Sequence, residues 1–270
     1  MRCYLPSLAC SSWLSIAAVG LVGVSCASFD TNLQDSDVKF EETAKANYDS
    51  AEKAFSAKRF NEATKFFEHV KNKFPYSKFA VLSELRLADA HFAREKWLEA
   101  ADAYRIFVRF HPRHESVPYA TFRVALAHSN AIEEDSAWLP MVAAREKDQS
   151  AARDAVRAFD EFLTRFPTDE RAKEAHERRT KARAHLAEAD IYAAAFYAQR
   201  ERWQGALWRY ERVASEFADT PKAPWALLQA AQIAGDKLGD KAAAKKLYEQ
   251  LLREHPKSSE ATAAKQALGS

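Results

Sequence analysis

The side chains that commonly carry catalysis or bind metals are sparse in this chain and poorly arranged for either task. His111 and His114 lie three residues apart around Pro112, but a turn after a helix does not hold two imidazole rings on one face, and no third ligand is near them. The carboxylates are dispersed among basic neighbours, and the chain has neither a glycine-rich phosphate loop nor a Gly-x-Ser-x-Gly turn. We therefore predict a protein that is not an enzyme and that uses no cofactor or metal ion.

Cys26 is the cysteine whose surroundings suggest a reaction. It follows an apolar stretch, residues 13–22, which suits a secretory signal and is short for a membrane span of about 20 residues. The string Gly23-Val24-Ser25-Cys26 resembles a bacterial lipobox, in which the thiol takes a diacylglycerol before the signal is cleaved. We predict a lipoprotein signal peptide over residues 1–25 and lipidation of Cys26, with an ordinary signal peptide or an uncleaved anchor as the alternatives.

The residues around Cys26 agree with export and tethering. Cys3 and Cys10 fall in the segment that would be removed, so no disulfide framework is possible. Ala27 stands where aspartate would favour the inner membrane, which by similarity to bacterial lipoproteins favours the outer membrane. Residues 26–40 are polar and lack periodicity, which predicts a flexible, lipidated tether on the periplasmic face of the outer membrane.

Composition predicts helices and argues against a nucleic-acid partner. Hydrophobic residues make up 47% of the 270, and only 6 glycines occur, which favours a helical core. The 40 lysines and arginines nearly balance the 38 aspartates and glutamates, so a net charge of +2 leaves no basic footprint for nucleic acid.

A set of four residues recurs five times: a small residue, an alanine, an aromatic and usually a proline. The copies are Ala51, Ala63, Phe67 and Pro75; Ala88, Ala100, Tyr104 and Pro112; Ala125, Ala155, Phe159 and Pro167; Ala194, Ala206, Tyr210 and Ala218; and Ala231, Ala244, Tyr248 and Pro256. A helix hairpin explains the set, because two helices cross closely at small residues and a proline ends the second helix. The spacing is similar to that of the tetratricopeptide repeat.

The predicted helices pair off along residues 41–270. Their ranges are 41–58, 60–74, 78–94, 97–110, 118–132, 149–166, 170–200, 203–217, 223–237, 241–254 and 259–268. Ala125 and Ala155 lie 30 positions apart where the other pairs are 12 or 13 apart, so an insert near residues 132–149 splits the third hairpin. We predict an all-α fold, an α-solenoid of about five tetratricopeptide-like hairpins in one right-handed superhelix.

One stripe of the leading helices is predicted to line a peptide-binding groove. A period of 3.6 residues groups Tyr48, Glu52 and Phe55 on one face. The equivalent positions in the next two hairpins are Leu85, Asp89 and Phe92, and then Tyr119, Phe122 and Leu126. Aromatic residues with a few carboxylates suit a peptide that carries aromatic side chains and a positive charge. The alternative is that some of these residues are core between repeats.

The insert and a basic run over residues 171–183 are two further candidate surfaces. The insert places Trp138, Leu139, Met141 and Val142 after an acidic run, which predicts a surface for a partner or, alternatively, a cluster that packs into the groove of its own chain. The basic run over residues 171–183 is predicted to be a solvated helix face rather than a binding site.

The anchor, the repeats and the split hairpin together resemble the BamD family of outer-membrane assembly lipoproteins. The local strings that carry the resemblance, over residues 48–268, are Phe74-Pro75-Tyr76-Ser77, Arg109-Phe110-His111-Pro112, Pro118-Tyr119-Ala120, Leu186-Ala187 and Tyr192 with Phe196-Tyr197. Lys147-Asp148 stands where that family commonly has Arg-Asp at the end of the insert, which adds both residues to the predicted partner surface.

Membership implies a non-enzymatic subunit of the β-barrel assembly machinery. It implies that the N-terminal repeats receive the C-terminal targeting strand of unfolded outer-membrane proteins. It also implies that the C-terminal repeats dock on a periplasmic domain of the central barrel subunit, BamA, with the lipid holding the chain to the membrane. The alternative is a periplasmic tetratricopeptide-repeat lipoprotein that serves as a scaffold in another envelope system, such as cell division or pilus or secretion assembly.

Overall fold

Helices follow one another along the chain in the order that the repeats predict. The computed structural model describes residues 38–132 and 148–269. Within these ranges there are eleven α-helices and no strand: α1 (Ala44–Ser56), α2 (Phe60–Lys73), α3 (Lys78–Ala93), α4 (Trp97–Phe110), α5 (Val117–Asn130), α6 (Ser150–Arg165), α7 (Ala172–Gln199), α8 (Trp203–Glu216), α9 (Ala223–Gln232), α10 (Lys241–Glu254) and α11 (Glu260–Gly269). The predicted helices and their pairing into hairpins are confirmed.

The start of the first hairpin differs from the prediction. α1 begins at residue 44 because the Thr43 side chain caps it, accepting a hydrogen bond of 3.2 Å from the backbone N–H three residues on. The buried Asn47 side chain accepts from the Glu41 N–H at 2.9 Å and donates to the Glu41 carbonyl at 2.8 Å. Phe40 stacks on His69 with their ring centroids 3.9 Å apart. Phe40, which we had assigned to the tether, therefore packs on the first hairpin.

The recurring small residues mark the places where helices cross. In all five hairpins the two alanines of the set are at most 5% exposed. The aromatics Phe67, Tyr104, Phe159 and Tyr210 are buried as well, and Tyr248 is partly buried. A larger side chain at these alanines would force the helix axes apart, which explains why the spacing is so regular.

The turns within four hairpins use the same backbone conformation. Lys58, Glu95 and Glu201 each lie seven residues after the first alanine of their hairpin and have φ of 57–59°. Gly239 occupies the corresponding turn of the fifth hairpin with φ of 71°. A positive φ is strained for residues with a side chain, so three of the four turns hold a conformation that only glycine adopts freely.

The two alanines of the fifth hairpin, Ala231 and Ala244, lie 13 residues apart rather than 12, and the helix itself takes up the extra residue. After α9 the chain forms one π-helical turn over Ile233–Lys237, and the Leu238 N–H donates to the Ile233 carbonyl at 3.1 Å. A π turn widens the helix by one residue without ending it. Gly235 lies in this turn, where an added Cβ would come within 3.3 Å of the Ala244 methyl group, so the crossing stays close.

Successive helices pack on one another, and α7 joins two hairpins. Each helix contacts chiefly the helices before and after it. α7 has 28 residues, about twice the length of its neighbours. Its first half packs against the third hairpin through Ala175 and Ala182, and its second half packs against α8 through Ala187 and Ala194.

Candidate functional site

Arg86 on α3 joins the first two hairpins by binding two carboxylates. Its Nε and Nη2 atoms lie 2.6 and 2.5 Å from the two carboxylate oxygens of Glu52 on α1, and its Nη1 lies 2.9 Å from Asp89. The guanidinium also lies 4.3 Å from the centroid of the Phe55 ring. Burial alone lowers the pKa of Arg86, but the hydrogen bonds to Glu52 and Asp89 outweigh burial and raise it. Arg86 therefore stays charged and holds both acids.

Asp89 is the buried centre of a hydrogen-bond network between α3, α4 and α5. The hydroxyl groups of Tyr104 and Tyr119 both donate to its Oδ1, at 2.5 and 2.7 Å, and Arg86 contacts its Oδ2. Burial first, and then the charge of Asp89, raises the pKa of Tyr119 to about 12 and raises the pKa of Tyr104 as well. Both tyrosines therefore remain protonated donors, and every lone pair that Asp89 presents to them is used.

Arg123 on α5 extends the network toward the third hairpin. Its Nε donates to the Tyr104 hydroxyl at 3.1 Å, and its guanidinium carbon lies 3.5 Å from the centroid of the Phe92 ring. The Tyr119 ring centroid is 5.6 Å away. Within residues 38–132 and 148–269, Arg123 forms no ion pair with a carboxylate. We call the connected side chains the arginine–aromatic cluster: Glu52, Phe55, Arg86, Asp89, Phe92, Tyr104, Tyr119 and Arg123.

The predicted groove residues divide between this cluster and the core. Tyr48 lies one helical turn before Glu52, and burial first, and then that carboxylate, raises the pKa of its hydroxyl. Glu52, Phe55, Asp89, Phe92 and Tyr119 belong to the cluster itself.

Leu85 and Phe122 do not line an open groove. Leu85 is 7% exposed in the core that α3 forms with α4 and α5. Phe122 is 4% exposed, with its ring centroid 5.4 Å from that of Phe162 on α6. Helical periodicity alone did not separate these positions, because a leading helix is covered by neighbours on more than one side.

The expected preference of the groove for a positive charge is not supported by these contacts. Glu52 gives both carboxylate oxygens to Arg86, and Asp89 is surrounded by Arg86 and two hydroxyl groups. Sequence reasoning missed both arginines. A signal for Arg86 was present in its distance of 34 residues from Glu52, which is close to one repeat; Arg123 carried no comparable signal.

The fourth hairpin carries a second set of arginines around a buried acid. Asp190 on α7 is 7% exposed, and its carboxylate lies 2.8 Å from Arg209 and 3.4 Å from Arg212 on α8. These residues line a cavity of about 470 Å³ together with Arg153 and Phe217. The two arginines of α8 thus share one buried carboxylate, although Arg212 also reaches Glu216 at 3.1 Å.

Exposed aromatic side chains lie on the same hairpin. Trp208 is 65% exposed, Phe196 44% and Tyr197 36%. The guanidinium of Arg200 lies 3.5 Å from the centroid of the Phe196 ring. An added Cβ on Gly205 would come within 3.3 Å of the Tyr197 ring, so this glycine lets the ring lie close to α8. Exposed aromatics beside arginines are typical of surfaces that bind protein.

A cavity of about 440 Å³ lies between α4, α5 and α6. Its wall includes His128, which is 6% exposed and whose Nε2 lies 3.1 Å from Nη2 of Arg105. Burial first, and then the charge of Arg105, lowers the pKa of His128. The imidazole is therefore neutral at pH 7.

Of the remaining predicted site residues, only Asp148 lies in the described part of the chain. Cys26, Trp138, Leu139, Met141 and Lys147 lie outside the described residues. Asp148 is described, and its carboxylate accepts from the Ser150 N–H at 3.0 Å at the start of α6.

Four arginines of the basic run form ion pairs within the chain. Arg171 pairs with Asp169, Arg178 with Glu174, Arg179 with Asp160, and Arg183 with Asp219. These contacts tie α7 to α6 and to the turn after α8.

The two histidines that first suggested a metal pair make separate contacts. His111 Nε2 lies 2.7 Å from Glu84, and His114 Nδ1 accepts from the Ser116 N–H at 3.1 Å. In the described part of the chain no three His, Cys, Asp or Glu side chains are grouped as a metal ion would need. Over the same residues no helix combines the length and apolar character of a membrane span.

Several proteins that are similar in sequence to this chain share one name. The chain is 27% identical over 210 residues to the outer membrane protein assembly factor BamD of Neisseria gonorrhoeae, covering 77% of this chain and 78% of the relative. It is 25% identical over 176 residues to the protein of the same name from Vibrio cholerae, covering 65% and 73%. The Caulobacter vibrioides protein of that name is 24% identical over 217 residues, covering 80% and 68%.

Among solved structures, tetratricopeptide-repeat proteins align with most of the chain. The TPR2AB domain of yeast Sti1, in its complex with pHSP90, is 15% identical, with a TM-score of 0.40 over 83% of this chain and 84% of that one. A thermophilic TPR protein of Thermus thermophilus has 15% identity and a TM-score of 0.36, over 84% and 99%.

The match to a protein family extends over most of the described residues. The family described as "YfiO: Outer membrane lipoprotein" matches residues 40–251, from the start of the first hairpin to α10 of the fifth. The chain therefore belongs to the YfiO family of outer membrane lipoproteins.

Proposed function

We propose that this protein is a scaffold subunit of the machinery that assembles β-barrel proteins in the outer membrane. It binds unfolded barrel proteins on its N-terminal hairpins, docks on a BamA-like central barrel subunit through its C-terminal hairpins, and promotes folding and insertion without catalysing a covalent reaction. The observation that carries the proposal is the name shared by its relatives, outer membrane protein assembly factor, over about three quarters of the chain.

The N-terminal surface suits an unfolded barrel strand. Strands of membrane barrels alternate apolar and polar side chains and carry aromatics near the membrane interfaces. Phe55, Phe92 and Tyr119 are partly exposed in the arginine–aromatic cluster, so aromatic side chains of a client can pack against their rings.

The C-terminal hairpins suit a folded protein partner. Arg209 and Arg212 share Asp190, and Trp208 is largely exposed. Arginine and tryptophan are the residues most enriched among those that dominate binding at protein interfaces. We assign this surface to the central barrel subunit, while the insert, including Trp138, Leu139, Met141, Lys147 and Asp148, remains a predicted second contact.

The proposed anchor is a lipid on Cys26 that holds the chain to the periplasmic face of the outer membrane. The proposed domains are a signal peptide over residues 1–25, a tether from residue 26, and the repeat domain that follows. One acyl chain gives only weak membrane attachment, so an anchor with several chains is the form that retains a protein at the bilayer.

Affinity capture from outer membranes tests the proposal against a scaffold role in another envelope system. The tagged full chain is captured in mild detergent, and the co-purified proteins are identified by mass spectrometry. The proposal expects a large barrel protein with periplasmic repeats. Recovery of cell-division, pilus or secretion proteins without that barrel subunit would reject the proposal in favour of the alternative.

A further inference from the structure

We propose that Arg123 recognises a carboxylate of the client peptide, so that the face formed by α1, α3 and α5 selects an anionic group beside an aromatic side chain. This inference rests on the proposed binding of unfolded barrel proteins and adds the chemistry by which they are selected. It reverses the preference for a positive charge that the sequence predicted.

The charges within the arginine–aromatic cluster are unequally compensated. Two carboxylates, Glu52 and Asp89, face two guanidinium groups. Arg86 takes both oxygens of Glu52 and one of Asp89, and it is therefore fully compensated. The remaining oxygen of Asp89 accepts from two tyrosine hydroxyls. Neither acid is left to attract a cation from a ligand.

Arg123 lies at the edge of this network. It reaches Asp89 only through the Tyr104 hydroxyl, which accepts from Arg123 Nε at 3.1 Å and donates to Asp89. Its positive charge is therefore compensated less directly than that of Arg86. Within residues 38–132 and 148–269, its two terminal nitrogens, Nη1 and Nη2, form no hydrogen bond or ion pair.

Two contacts fix the orientation of the Arg123 guanidinium. The Phe92 ring lies 3.5 Å from the guanidinium carbon, and the Nε bond to Tyr104 fixes the other edge of the group. A guanidinium held in this way keeps its two terminal nitrogens oriented as a fork, which matches the two oxygens of a carboxylate. Arg123 is partly exposed, and Phe92 and Trp97, whose ring centroids are 4.8 Å apart, provide apolar surface next to it.

These contacts define the ligand by its chemistry. It is an extended peptide that carries a carboxylate within reach of an aromatic or large apolar side chain. The carboxylate can be the free end of a polypeptide or the side chain of an aspartate or glutamate, and the two sources need separate tests.

The test is a comparison of three labelled peptides that share an alternating aromatic sequence. One ends in a free carboxylate, one in a carboxamide, and one in a carboxamide with an added penultimate aspartate. Binding to the full chain in detergent is measured by fluorescence anisotropy at low and high salt. We expect the free acid or the aspartate peptide to bind about tenfold more tightly than the plain amide, with the difference reduced by salt.

Variants of the same chain assign the preference to Arg123. In Arg123→Gln the anionic and neutral peptides should bind equally, while Arg123→Lys should retain part of the preference. Arg157→Gln, which changes an exposed arginine of α6 paired with Asp154, serves as the matched control, and circular dichroism checks that each variant is folded. Equal binding of acid and amide to the wild-type chain would overturn the inference while leaving client binding intact. If none of the peptides binds, client binding itself is rejected.

Discussion

Arg86 and Glu52, which are 34 residues apart in the chain, form a two-pronged ion pair between α3 and α1 with N–O distances of 2.5 and 2.6 Å. The pair joins the first two hairpins through side chains that are roughly one third exposed. Because Arg86 also holds Asp89, one guanidinium connects the surface of the first hairpin with the buried hydrogen bonds of the second and third.

Removing Arg86 should destabilise the protein measurably. Arg86→Met leaves Glu52 and Asp89 without their cation, and loss of one partner of a largely buried pair costs about 2 to 4 kcal/mol of unfolding free energy. Urea denaturation followed by circular dichroism measures the change. Arg178→Met is the control, because its pair with Glu174 lies one turn apart on an exposed face and should contribute under about 0.5 kcal/mol. Equal losses in both variants would contradict the central role of Arg86.

Glycine should stabilise the strained hairpin turns. Lys58 and Glu95 have φ of 59°, a conformation that costs a residue with a side chain about 1 to 2 kcal/mol. Glycine removes this cost, but it also increases the conformational entropy of the unfolded chain, which offsets part of the gain. We expect Lys58→Gly and Glu95→Gly each to raise the unfolding free energy by roughly 0.5 to 1 kcal/mol. The reciprocal change Gly239→Ala should lower it. Thermal melts provide the measurement, and a loss of stability in both glycine variants would refute the assignment of strain.

Stability should fall as the pH drops below neutrality. Burial lowers the pKa of both His91 and His128 in the folded state, with help from Lys96 and Arg105 respectively. Below an unfolded pKa near 6.5, the unfolded chain takes up protons that the native state excludes, so acidification favours unfolding, by at most about 1.4 kcal/mol per pH unit for each histidine. Above that pKa the contribution is constant.

The measurement for this prediction is urea denaturation at pH 7.5 and 5.5. His128→Gln should reduce the loss between the two pH values, because the titrating group is gone. Arg105 and Asp102 on α4 and Asp154, Arg157 and Glu161 on α6 line the same cavity. A variant that loses as much stability as the wild type would contradict a role for His128.

Reversing charge at the fourth hairpin should weaken docking on the barrel subunit. Arg209→Glu places an acid beside the buried Asp190 carboxylate, 2.8 Å from the present guanidinium, and removes an arginine from the surface proposed to contact the partner. We expect at least a tenfold drop in recovery of the large barrel protein. Binding of an aromatic peptide to the N-terminal hairpins should be unaffected, and Arg178→Glu is the control for net charge.

Truncating two aromatic residues should weaken client binding. Phe55→Ala combined with Phe92→Ala removes two partly exposed rings and the surfaces on which Arg86 and Arg123 stack. Anisotropy titration should show about a tenfold loss of affinity for a peptide with a terminal aromatic residue. Phe110→Ala, at a ring that is 64% exposed on α4, is the comparison. An unchanged affinity in the double variant would exclude this surface.

The helices could be predicted from sequence because their signals are local. Alanine at each crossing and proline after four of the five hairpins indicate where two helices meet and where the second one ends. The positions of Ala51 and Ala63 could therefore be predicted without tertiary information. The cluster could not be predicted in the same way. Whether Arg123 faces Phe92 or solvent depends on how α5 lies against α3, and helical period alone does not contain that angle. For the same reason Leu85 and Phe122 shared the predicted stripe with Phe55 yet lie in the core.

The length of α7 has a mechanical consequence. At 1.5 Å per residue its 28 residues form a rod of about 42 Å, held by ion pairs from Arg179 to Asp160 and from Arg183 to Asp219. A loop at this point would let the third and fourth hairpins swing independently. A continuous helix held by ion pairs at both sides instead couples a movement of the third hairpin to a movement of the fourth.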